Sequence, residues 1–81
     1  MRLIYKVVDS NNKKRMFSFT KTYKLLNGCV LECFEMKELK NNEEVSLVKM
    51  SFNFCTYPVD YLFQEMLEEA GIEIKWLKFV R

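Results

Sequence analysis

At 81 residues the chain has room for a single domain, 1–81. A composition of 49% hydrophobic and 15% aromatic residues, with one proline and two glycines, excludes a disordered chain. The net charge of +2 does not by itself require a polyanionic partner. Three cysteines, an odd number, exclude a closed disulfide framework.

The first stretch, Arg2 to Val8, alternates around Leu3, Tyr5 and Val7 and reads as a strand. Asp9-Ser10-Asn11-Asn12 is a cluster of turn formers. A second extended run begins at Lys13 or Lys14 and reaches Leu26, with Phe17, Phe19, Tyr23 and Leu25 on one side. Asn27-Gly28 then marks a two-residue hairpin turn, because type I′ geometry needs positive φ at both central positions. That turn sets Leu26 opposite Cys29, Leu25 opposite Val30, Lys21 opposite Phe34 and Phe19 opposite Met36.

The third strand runs from Cys29 to about Leu39, and the fourth from about Glu44 to Cys55, with Val48, Met50, Phe52 and Phe54 alternating. A two-residue turn at Asn41-Asn42 would put those apolar residues on the wrong side of the sheet, since a slip of one residue flips every side chain. A three-residue loop, Asn41-Asn42-Glu43, repairs the phase. It pairs Val48 with Met36, Met50 with Phe34, Phe54 with Val30 and Lys49 with Glu35.

Thr56 to Gly71 reads as the one long helix. Pro58 suits its first helical position, Asp60 faces the positive end of the helix dipole, and Gly71 ends it. Val59, Leu62, Phe63, Met66, Leu67 and Ala70 form an apolar stripe, with Asp60, Gln64, Glu65, Glu68 and Glu69 opposite. Ile72 to Val80 is a fifth strand, with Ile72, Ile74 and Trp76 on one side and Leu77 and Phe79 on the other. The fold class is therefore α+β: a five-stranded, mainly antiparallel sheet, β-β-β-β-α-β, with one amphipathic helix on one face. The favoured strand order is 5-1-2-3-4. The alternative sets strand five beside strand four through a right-handed crossover. Leu62, Phe63, Met66, Leu67, Phe19, Phe34, Met50, Phe52 and Ile74 are expected in the core.

Catalytic chemistry finds little support. There is no histidine, the commonest general base, and no glycine-rich phosphate loop. Glu32 falls on the expected core side opposite Tyr23. It reads either as a buried acid of raised pKa held by the Tyr23 hydroxyl or as a peripheral group reaching solvent. Cys29, Cys33 and Cys55 fall short of the four ligands of a structural zinc site. They read as small hydrophobes, although a Cys29–Cys55 bridge is geometrically conceivable. No metal or cofactor is expected. Arg2 and Lys6 break any early apolar run, and none elsewhere approaches the roughly 18 residues of a membrane span. A cytoplasmic, reducing location is expected.

Two surfaces remain. Residues 1–28 carry a balance of +6 and residues 29–73 a balance of −7. The basic half offers Lys13, Lys14, Arg15, Lys21 and Lys24, joined by Lys75 and Lys78 from the fifth strand, as a surface for single-stranded nucleic acid, with Tyr5, Tyr23 and Trp76 near it to stack bases, although the aromatics mostly fall on the core face. The sheet side away from the helix offers Leu31, Leu39, Val45 and Leu47 as a surface for a protein partner or a second copy, and an edge strand offers another. The reading by elimination is a small, stand-alone, non-catalytic protein-interaction module. Inhibitors that phages and mobile elements direct at host defence proteins are of this type. The alternative is a nucleic-acid-binding regulator that uses the basic half of the sheet. No membrane contact is expected.

Overall fold

The computed structural model describes the backbone of residues 1–80 and the side chains of residues 1–76. It contains β1 (Arg2–Asp9), β2 (Lys14–Leu26), β3 (Cys29–Lys40), β4 (Glu43–Phe52), α1 (Val59–Glu69) and β5 (Ile74–Val80). The five strands form one antiparallel sheet in the order β4-β3-β2-β1-β5, which is the favoured order. The chain is strand-dominated, and its helix is short.

The β2–β3 hairpin has the register that Asn27-Gly28 dictates, from Leu26↔Cys29 through Leu25↔Val30 and Lys21↔Phe34 to Phe19↔Met36. Both turn residues have positive φ, 51° and 78°. The β3–β4 register also pairs Met36 with Val48, Phe34 with Met50 and Glu35 with Lys49. The device that achieves it is not the three-residue loop. Lys40 pairs with Glu43, so the turn is the two-residue Asn41-Asn42, both at positive φ. The phase is corrected further along, where Lys37 pairs with Ser46 but Met36 with Val48. Leu47 is the extra residue of a β-bulge. The expected Phe54–Val30 pair does not form, because β4 ends at Phe52.

A second bulge separates Val8↔Trp76 from Asp9↔Ile74, with Lys75 the extra residue. Ile74 packs against the core, while Trp76 shares the opposite side with Val8, so the expected common face of the two is lost. The expected facing of Leu77 and Phe79 lies outside the described residues.

The helix is shorter than the stretch Thr56 to Gly71 read from sequence, and its first residue is Val59 rather than Pro58. Pro58 is its N-cap, and its carbonyl accepts the Leu62 N–H at 3.1 Å. The C-terminal end is a Schellman arrangement. Gly71 at φ 74° donates to the Glu68 carbonyl and Ile72 to that of Leu67, both at 2.9 Å. Phe63 is the hub of the core. Its ring stacks on Tyr5 at 3.9 Å between centroids and meets Phe17 and Phe19 edge-on at 6.0 and 6.4 Å. Leu62, Phe63, Met66, Leu67, Phe19 and Phe34 are buried as expected, whereas Met50, Phe52 and Ile74 are half-buried at its margin. The Tyr5 hydroxyl donates to Asp60 Oδ1 at 2.7 Å, tying the first turn of the helix to β1. Burial, followed by that hydrogen bond and the Asp60 charge, pushes the Tyr5 phenol well above its ordinary value.

The other side of the sheet is concave. Arg2 on β1 reaches Glu44 on β4, Nη2 to Oε1, at 2.6 Å. In a flat sheet these strands would lie ~14 Å apart, and the two positions are also offset along the strands. The pair closes because the sheet coils, and Ser18 at the centre of that side is fully buried.

Candidate functional sites: a bare hairpin arm and a basic cleft

The helix and the hairpin differ in length. Eleven helical residues extend ~16 Å, while the thirteen residues of β2 extend ~44 Å. The helix therefore covers Phe17, Phe19, Phe34 and Met36 and stops short of the hairpin tip. β1 reaches only to Met1, whose carbonyl takes the Lys21 N–H at 3.1 Å, and β4 leaves β3 after the Glu32↔Phe52 pair. Residues 22–31 thus project as a two-stranded arm. On its helix side Tyr23, Leu25 and Val30 are 66%, 72% and 57% exposed, and Phe54 in the segment that leaves β4 is 82% exposed. Alternation alone assigns Leu25, Val30 and Phe54 to the covered side of the sheet. The side is right for Leu25 and Val30, which share a row, but nothing lies over it.

Glu32 sits at the root of this arm. Its carboxylate takes the Cys55 N–H at 2.8 Å and pairs with Lys21 Nζ at 2.8 Å. Lys21, followed by the Cys55 N–H, lowers its pKa, so the reading as an acid of raised pKa is corrected: Glu32 is an ionised anchor for the segment that leads to the helix. Beyond that anchor Tyr57 and Tyr61 stack at 5.1 Å, both exposed, and line a shallow hollow with Met50, Phe52 and Leu62.

The four residues expected together on the side away from the helix do not all share it. Leu31 and Leu39 lie on the concave side and are half-buried. Val45 pairs with Glu38, which pairs with Phe17, so the two-residue turn has placed it on the helix side. Leu47 is the bulged residue itself.

The basic residues are also divided. Arg15 is held by Glu38 through two bonds of 2.9 and 2.8 Å and lies 3.7 Å from Asp9. Its guanidinium keeps the Glu38 carboxyl below the usual range. Lys21 is paired with Glu32, Lys24 is on the arm, and Lys75 donates to Asn12 Oδ1 at 2.6 Å. Lys78 is in register with Lys6, and its side chain lies outside the described residues. Lys13 and Lys14 do converge, with Lys6 and Lys40, on a cleft of about 560 Å³ whose lining includes Val8, Met16, Leu39 and Trp76. The sequence reading of this surface misses Lys40; it already counts Lys6 in the basic half and sets Trp76 beside it, while Tyr5 is in the core and Tyr23 on the arm. The hairpin register that Asn27-Gly28 dictates already sets the end of β3 beside the start of β2, whereas the Lys75 bulge that delivers the indole to the concave side has no local sequence signal.

All three cysteines are free. Cys55 does not face Cys29, since the pairing that would align them ends at Phe52. Among the described residues no group of three or more histidine, cysteine or acidic side chains gathers as a metal site, and no helix is long and apolar enough to cross a membrane. No protein-family model, curated protein or solved structure matches the chain.

Proposed function

We propose that this chain is a non-catalytic protein-binding module that docks through the helix-side face of its hairpin arm. The observation that carries this reading is the exposure of Tyr23, Leu25, Val30 and Phe54, four large apolar side chains that the helix leaves bare. Contiguous apolar surface of this kind marks an interaction site. Beyond Glu32 no strand among the described residues pairs with the outer edge of β3, so residues 29–31 also offer backbone donors and acceptors. A partner that adds a strand there satisfies those groups and lays its own apolar side chains over Tyr23 and Leu25, which is the β-augmentation mode of recognition. An inhibitor aimed at a host protein would work in this way, by occupying a partner's surface without altering it chemically.

Affinity capture with the whole chain tests the reading when run in parallel with two variants. Leu25→Ser/Val30→Ser should lose the proteins that the wild type retains, and Leu47→Glu should keep them. Equal capture by all three chains would contradict the arm as the docking surface. Light scattering should show a monomer in the absence of partner. A dimer abolished by the arm variant would replace the heterologous partner with a second copy.

A further inference from the structure

The concave side carries an independent feature. Elsewhere on the sheet most described cations are engaged: Arg2 by Glu44, Lys21 by Glu32, and Lys37 and Lys49 by Glu35. Among the described residues Lys6, Lys13, Lys14 and Lys40 make no ion pair, and all four are exposed. The one carboxylate in the lining, Glu38, is held by Arg15, and Lys40 and Lys13 also help to lower its pKa. With Arg15, five cations line the cleft against that one carboxylate, which leaves it a net positive charge. Its lining is otherwise apolar, and Trp76 stands in it 51% exposed. Simple anions would need the ammonium groups and not the indole. An apolar ligand would need the indole and not the lysines. A ligand that uses both carries planar rings and regularly spaced negative charges.

We propose that this cleft binds single-stranded nucleic acid, with one base stacked on Trp76 and adjacent phosphates held by Lys6, Lys13, Lys14 and Lys40. A single strand offers free base faces to an aromatic platform while its backbone follows a basic groove. A duplex hides those faces in its own stack. The cleft and the hairpin arm lie at opposite ends of β2 and β3 and share no residue, so this inference stands apart from the protein-binding reading.

Trp76 is the only tryptophan, so its fluorescence reports the stacked base directly. Titration of the whole chain with an oligothymidylate of about ten nucleotides should quench that signal. Four phosphate contacts predict an affinity loss of about 50-fold between about 50 and 200 mM salt. With a labelled strand followed by anisotropy, Trp76→Ala should bind about 5- to 150-fold more weakly, while Trp76→Phe retains most of the affinity. Lys14→Ala should lower the salt slope by about 0.7. Lys24→Ala and Leu25→Ser, on the arm, should leave binding unchanged. Absence of quenching would overturn the proposal. So would a free mononucleotide or a duplex bound as tightly as the strand, or a labelled strand bound equally by the wild type and Trp76→Ala.

Discussion

The two halves of the β2–β3 hairpin follow the same alternation and meet opposite fates. Phe17, Phe19, Phe34 and Met36 are buried, whereas Tyr23, Leu25 and Val30, further along the same side of the same strands, are exposed. Nothing in the strands distinguishes them. The difference lies in the helix, which spans less than half the length of the hairpin. Period-two alternation says which side chains share a face. What covers that face is decided by the length and placement of another element, and a bare stretch remains where the two lengths disagree.

Breaking the covered half should have the largest effect. Phe63→Ala removes the ring that Tyr5, Phe17 and Phe19 pack against, and should cost ~3–5 kcal/mol in urea unfolding. A loss below about 1 kcal/mol would show that the helix is not the lid of this half. Next is the Arg15–Glu38 pair at the margin of the covered half. The folded pKa of Glu38 is depressed, so its stabilisation is complete above the ordinary glutamate value, about 4.3, and is lost as pH falls through the lower folded value. Glu38→Gln should therefore cost about 1 kcal/mol at neutral pH, and the difference from wild type should vanish in strong acid. A difference independent of pH would remove the ion pair as its cause. The smallest effect concerns Ser18, whose buried hydroxyl has no hydrogen-bond partner among the described residues. Ser18→Ala should raise stability by about 0.5–1 kcal/mol. A clear loss would mean that the hydroxyl is satisfied by water.

Much of the covered half was legible in the sequence because several signals agreed. Asn27-Gly28 specifies a turn, the turn specifies a register, and the register puts Phe19 beside Met36. The β3–β4 register was correct for a wrong reason. The apolar phase required one extra residue, but Asn41-Asn42 forms a good two-residue turn, so the extra residue moved to Leu47 as a bulge. That displacement put Val45 on the other side and dissolved the expected outer patch. The bulge at Lys75 likewise separated Ile74 from Trp76. A bulge is invisible to a rule of strict alternation, and both surfaces of interest depend on what that rule omits. The basic cleft needs the coil of the sheet as well, a property of the assembled strands rather than of any one segment.

The central proposal is that the arm's apolar side chains, of which Tyr23 has the Lys21 ammonium 5.3 Å from its ring centroid, add little to the fold and are held out for a partner. Urea unfolding of Tyr23→Ser/Leu25→Ser/Val30→Ser tests this most directly. With each residue more than half exposed, the triple variant should retain the wild-type slope and lie within about 1 kcal/mol of its stability, the scale of surface substitutions. A loss of several kcal/mol, as core truncations give, would place these side chains in the fold's own core and contradict the account.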